Sequence, residues 1–438
     1  MKKGFIVLLL ALVIVVLASP RVIGSLAEQG VNEHLEWAAN EQGDVIVIPT
    51  EFDRGWFAST GQHRIELIQG EMYDSIVANF GYAELSALPV LLIDTHLDHG
   101  LIPVSSMTRE NGSLLPGLGS AVSTLSVEIH DGTVKPLPGK LFSNIGLNGA
   151  VTSRFLLEPE GADTEHARID WGAADFVIEA NPNSGSIAVA GVLGSLAVEA
   201  DDETLIVGKV ELDIDLTDSG FGFMVGPATF KLESFAVIGI ENTMTAGPFL
   251  IDSDSWIDSG RMNADITFRI ADTPFPSAGS VGMDIVARFE NVDAAAFGQA
   301  TRSFDAVRHS GFSPAAEEAF EEDLKRMFAS GMKVHFDQLD FASPFGQITS
   351  KLDASISETD SDNFTWGAAA MALDVSADVS LPVSLVNLAT QAYPDMHAAI
   401  GMGFLRKKGE FYTMEAAYKQ GLLTVNGAPM PIPLSGLQ

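Results

Sequence analysis

Apolar and polar residues alternate with a period of two over most of this chain. Val210-Glu211-Leu212-Asp213-Ile214-Asp215-Leu216 shows it most cleanly, with aliphatics on one side, acids on the other, and Asp218-Ser219-Gly220 as the closing turn. A strand places successive side chains on opposite faces, so this pattern predicts a sheet with one dry and one wet face. The same alternation appears in Ser123–Ile129, Ala173–Glu179, Ser186–Val189, Thr229–Phe235 and Met262–Arg269, punctuated by His130-Asp131-Gly132 and Asn181-Pro182-Asn183-Ser184-Gly185. Turns every 8–15 residues or so across 120–270 predict one extended, curved antiparallel sheet. Earlier, Val45–Ile48, Glu51–Arg54 and His63–Ile68 read as strands around an Arg54-Gly55 turn, and Leu88–Ile93 as an apolar strand.

The period changes to 3.6 between 293 and 331. Asp293 can cap a helix running to His309, and Ser313-Pro314 supplies a cap and a first-turn proline for the next. Phe320, Leu324, Met327 and Phe328 form one apolar stripe of that second helix, which predicts a helical hairpin covering part of the sheet. Further strands are predicted at 333–336, 347–356 and 369–381, and helices at 383–393 and 395–408, the last ending in Arg406-Lys407-Lys408 before Gly409. Tyr412–Tyr418 and Leu422–Val425 close the chain as strands, followed by an Asn426-Gly427 hairpin turn. The class is mainly β with helical insertions, α+β.

One stretch fits neither period. After Lys2 and Lys3, residues 4–18 are unbroken apolar apart from Gly4, and Ser19-Pro20-Arg21 then interrupt them. A bilayer admits such a segment only as a helix, and the flanking lysines place its start in the cytoplasm. The expectation is a signal anchor over 1–24 and an exported β-rich body over 25–438. The run is also short enough for a cleavable signal, with Val16-Leu17-Ala18 as the cut site, so both readings stay open.

Composition narrows the functions. The chain has 438 residues, mean hydropathy +0.20 and a formal charge of −33, with no cysteine, which rules out disulfides and thiolate chemistry. Such an excess of acids excludes nucleic acid as a partner, because phosphates must be neutralised by cations. Asp94, His96 and Asp98 would share one strand face, with His99 beside them, and are the candidate metal ligands. The other histidines are scattered, so no metal or cofactor is expected. No nucleophile elbow, zincin motif, phosphate loop or dinucleotide fingerprint occurs, so an enzyme is not expected.

Three short segments carry a resemblance. Asp53-Arg54-Gly55-Trp56-Phe57-Ala58-Ser59, Asp98-His99-Gly100-Leu101-Ile102-Pro103 and Gly421–Gly427 follow the anchor in that order. Together they resemble the YdgA-like family of bacterial inner-membrane proteins of unknown function, whose members show similar Arg-Gly-x-Phe-x-Ser, His-Gly-Pro-type and Asn-Gly segments. The chain departs at Leu101, where that family often has proline. The resemblance points to Arg54, Gly55, Phe57, Ser59, His99, Gly100, Asn426 and Gly427 as motif residues and implies no catalytic role for any of them. The expected function is binding of a hydrophobic, lipid-like ligand or an envelope partner. The alternatives are an assembly protein with a closed core, such as a homodimer, and a metal-dependent enzyme at Asp94, His96, Asp98 and His99.

Overall fold

The structure, a computed structural model, describes residues 45–55, 58–67, 90–99, 117–128, 132–163, 167–200, 203–239, 243–275, 279–309, 313–359, 364–393 and 395–430. The anchor expected over 1–24 lies outside these residues, as do Phe57 and Gly100. Among the described residues no helix is long and apolar enough to cross a membrane.

Strands β1 (Val45–Arg54), β2 (Ala58–Leu67), β3 (Val90–His99), β4 (Gly119–Glu128), β5 (Val134–Ile145) and β6 (Val151–Leu157) are successive antiparallel neighbours. The chain then steps out through β7 (Glu160–Asp163) and β8 (Ala167–Trp171), and returns with β9 (Ala174–Asn181) beside β6 and β10 (Ser186–Leu193) beside β9. Apart from β7 and β8, these strands make the first of two compact units.

The second unit holds all that follows, together with residues 161–171. Its strands are β11 (Leu196–Ala200), β12 (Glu203–Val207), β13 (Val210–Asp218), β14 (Met224–Val225), β15 (Ala228–Leu232), β16 (Phe235–Gly239), β17 (Thr243–Ala246), β18 (Phe249–Asp258), β19 (Arg261–Phe275) and β20 (Gly279–Asp293). After these come α1 (Ala294–His309), α2 (Pro314–Ala329), β21 (Met332–Ser343), β22 (Gly346–Ile356), α3 (Trp366–Ala372) and β23 (Leu373–Pro382). The chain finishes with α4 (Val383–Ala392), α5 (Asp395–Gly401), β24 (Arg406–Lys408), β25 (Phe411–Lys419), β26 (Leu422–Val425) and β27 (Ala428–Met430).

The long sheet of this unit runs β13–β15–β18–β19–β20–β21–β22–β23–β25, all antiparallel, and β24 and β26 share the outer edge of β25. In place of one continuous meander, β7, β8, β11, β12, β16 and β17 form a separate six-stranded sheet. The predicted strand 229–235 accordingly ends at Leu232, and Glu233-Ser234 carry the chain from one sheet to the other.

The helical hairpin forms as the sequence signals require. Asp293 accepts the Ala296 amide at 2.9 Å, and Ser313 caps α2 with Pro314 in its first turn. The two helices meet through Phe304 and Phe320, whose rings lie 5.5 Å apart. Buried Ser303 donates to Asp323, which Arg326 also holds at 2.9 Å. Phe297 and Met327 pack the hairpin onto Met262 and Val292.

Two predicted elements differ. The strand expected over 369–381 begins at Leu373, because Thr365 caps the alanine-rich helix α3 by accepting the Ala368 amide at 3.1 Å. The helix expected over 395–408 stops at Gly401. Gly403 takes φ 78°, and the Phe404 amide folds back to the Ala399 carbonyl at 2.9 Å, a glycine-type helix stop. Arg406-Lys407-Lys408 therefore lie on a strand instead of closing a helix.

Candidate functional site

The register of the first unit brings two of the motif segments together. Arg54 is the cross-strand partner of Ser59, and Ser59 that of Leu97. His99, two residues beyond Leu97, reaches back so that its Nε2 lies 3.0 Å from Ser59 Oγ. Both are sealed, each 2% exposed. Gly119 is the register partner of His99, so no side chain stands opposite the imidazole; a Cβ there would lie 2.9 Å from the Asp98 carbonyl oxygen. Gly55 makes the entry turn, its amide donating to the Ala58 carbonyl at 2.9 Å, and a Cβ would fall 2.3 Å from that oxygen. His63 is equally buried, and burial pushes its pKa below the ordinary value.

The candidate metal ligands do not converge. Alternation places Asp94, His96 and Asp98 on one face of β3 and His99 on the other. Asp94 is engaged by Gln62, its register partner, whose amide donates at 2.7 Å. His96 Nε2 lies 3.3 Å from Oδ1 of buried Asp98. Among the described residues no group of three or more His, Asp or Glu side chains is placed to hold a metal.

The third motif segment is a structural clamp. Asn426 and Gly427, at φ 50° and 80°, make the two-residue turn between β26 and β27. The Asn426 side chain donates to the Gly403 and Phe404 carbonyls at 2.8 and 2.9 Å and accepts the Glu415 amide at 2.9 Å. One asparagine thus ties the hairpin to the loop that follows α5.

The second unit offers a different surface. Register pairs carry the row Leu212–Phe230–Ile251–Phe268–Ile285–Leu339 across β13, β15, β18, β19, β20 and β21. Two residues along each strand, a second row runs Val210–Leu232–Phe249–Ile270–Met283–Phe341–Ile348 on the same face. None of these side chains is buried; all are half-buried apart from Ile251, which is 41% exposed. The next row mixes small and bulky residues, Ala228, Ser253, Ala287, Ala377 and Ala416 interspersed with Ile214, Ile266, Phe336 and Leu352. With strands about 4.8 Å apart, the first row alone makes an apolar track roughly 24 Å long.

The opposite face is polar and laced across the strands. Arg269 pairs with Asp284 at 3.1 Å, Arg288 with Asp265 at 3.1 Å, His335 with Asp353 at 2.6 Å and Lys419 with Asp374 at 2.7 Å. Lys209, donating to Glu211 at 2.5 Å, holds that carboxyl below its ordinary pKa. The acidic composition is therefore the wet side of an amphipathic sheet. On that face β21, β22, β23 and β25 leave an open groove of about 570 Å³ lined by Asp337, Asp340, Asp378, Glu415 and Lys351.

Sequence reasoning read the alternation but missed Gly119 and the cross-strand rows. The glycine has no local signal, and rows need a register. What fold and site define is a mainly β protein built on an amphipathic antiparallel sheet with one face half open. The chain belongs to the family described as bacterial protein of unknown function (DUF945), whose model matches residues 1–433. Neither the curated proteins nor the solved structures gave a match.

Proposed function

We propose that this protein is held at the bacterial inner membrane by residues 1–24, as the YdgA-like resemblance implies. Its exported second unit then binds a lipid-like ligand along the apolar rows of the long sheet. The observation that carries the reading is the half-buried state of Leu212–Phe230–Ile251–Phe268–Ile285–Leu339. Covering apolar area yields about 25 cal/mol per Å², so a folded chain that leaves two bulky rows open forgoes stabilisation that an acyl chain would restore. The track is longer than the roughly 15 Å of one leaflet of a bilayer's hydrocarbon core, so it accommodates an extended chain.

A non-enzymatic role is supported by the state of the Ser59–His99 pair. Ser59 and His99 are sealed from solvent, and Asp98 lies on the other face of β3, where it does not orient the imidazole. The full-length protein, extracted in mild detergent and analysed by native mass spectrometry with lipid extraction, should carry acyl species that Phe268→Asp removes. A lipid-free wild type would overturn the reading, and a lipid-free dimer would favour the assembly alternative. A reporter fused at the C-terminus should lie outside the cytoplasm.

A further inference from the structure

We infer that the ligand carries an anionic head, as a negatively charged glycerophospholipid does, and that Lys407, at the end of the apolar face, receives it, with Arg406 and Lys408 adding charge from the other face of the same edge strand. This rests on the reading of the apolar rows as lipid-bearing and names the class of lipid.

Followed to its edge, the apolar face ends on a cation. Leu352 pairs with Ala377 and Ala377 with Ala416, which fixes that face on β22, β23 and β25. Val379, Leu381, Met414 and Tyr412 continue it at two-residue steps, with Val379 opposite Met414 and Leu381 opposite Tyr412. The partner of Tyr412 on the edge strand β24 is Lys407. A tyrosine followed by a lysine is the order in which apolar surface gives way to a phosphate layer, since both side chains pair an apolar body with a polar tip.

The charge pattern also marks this strand, although Lys351 and Arg302 likewise make no ion pair among the described residues. Elsewhere in this unit Lys209, Arg269, Arg288, Lys333 and Lys419 each reach a carboxylate. Arg406, Lys407 and Lys408 are consecutive and exposed, and among the described residues none of them makes an ion pair. Arg406 instead donates to the Asn426 carbonyl at 2.9 Å, which holds the strand against the Asn-Gly turn. Phe411, the partner of Lys408, is 41% exposed and lies with Lys408 on the face opposite Tyr412. In a chain of charge −33 a phosphate is repelled almost everywhere, so Lys407, flanked in sequence by two more cations and with no carboxylate partner, is where it would settle. Lysines on an edge strand also guard against strand pairing, a role that is indifferent to headgroup.

The test uses the full chain in detergent, stripped of lipid and titrated with fluorescent phosphatidylglycerol and phosphatidylcholine of identical acyl chains. Phosphatidylglycerol should bind roughly tenfold more tightly. The preference should shrink as salt rises from about 0.05 to about 0.5 M, through screening. The double variant Lys407→Gln, Lys408→Gln should bind both lipids alike, with thermal stability unchanged. Equal affinities in the wild type, or a preference surviving in the double variant, would overturn the headgroup assignment and leave the apolar track standing. Displacement by glycerol phosphate alone would mark a soluble-phosphate site and also overturn it. Binding of neither lipid would remove the track itself.

Discussion

Two cross-strand rows, one in each unit, differ in how completely they are covered. In the first unit Ser59, Leu97 and Ala121 lie in one cross-strand row with Ser143 and Ser153, and the first three are 2%, 1% and 5% exposed. In the second, Leu212, Phe230, Ile251, Phe268, Ile285 and Leu339 are far bulkier and more apolar, yet none is buried. A chain folding only to hide hydrocarbon would have sealed the second row before the first. In the first row Ser59 is sealed because it and His99 satisfy each other, Leu97 and Ala121 are core, and Ser143 and Ser153, bonded at 2.7 Å, stay half-buried. The bulky row is left open, and that surplus of uncovered surface is what the proposed ligand accounts for.

The comparison breaks first at its hydrophobic members. Leu97→Ala should cost about 2–5 kcal/mol of unfolding free energy, the cavity penalty for a buried leucine. Ile251→Ala should cost well under half as much, because a side chain already 41% exposed leaves little cavity behind. Urea titration of both variants measures the contrast, and equal losses would mean that the second row is packed after all. Asn426→Ala, which strips three backbone groups of their side-chain partner, should cost about 2–3 kcal/mol. Its loss would show first as hydrogen exchange in β26 and in the loop at Gly403-Phe404.

Smaller effects sharpen the polar side. Ser59→Ala should cost about 1–3 kcal/mol, since it removes the hydroxyl that bonds a sealed imidazole nitrogen. Ser59→Thr, which keeps the hydroxyl, should recover part of that stability. His63 gives a pH signature. Burial holds its folded pKa below the ordinary 6.5, so the unfolded chain takes up a proton first as pH falls. Stability should therefore decline below pH 6.5 and stop declining on this account only beneath the folded pKa. Comparing wild type with His63→Gln at about pH 7.5 and about pH 5.5 isolates the contribution, because the remaining histidines are common to both. A wild type and variant with the same pH slope would contradict it.

Much of this was legible in the sequence, for reasons that can be traced. Val210–Leu216 alternates so cleanly because its acids face water and its aliphatics face the track, and it became β13. Asp293, Ser313 and Pro314 each act locally, so the hairpin was readable from single residues. The turn at Asn426-Gly427 was readable because only small or glycine residues take those dihedrals without cost. What failed were competitions between local signals. Ala368–Met371 reads as either state until Thr365 is recognised as a cap, and Gly403 stops α5 before the cations that looked like its natural end. The site failed for another reason. Ser59 and His99 are forty residues apart, and the apolar rows join residues from seven strands. Only register relates them, and alternation is silent about register.

The most direct test places a photoreactive p-benzoylphenylalanine at 251 in one protein and at 252 in another, and irradiates the full-length chain in its native membrane. Residues 251 and 252 are neighbours on β18 that face opposite sides of the sheet, Ile251 on the apolar row and Asp252 bonded to Thr229 on the polar one. Mass spectrometry should find acyl-lipid adducts at 251 and none at 252. No adduct at 251, or equal yields at both positions, would contradict the claim that this face carries a lipid.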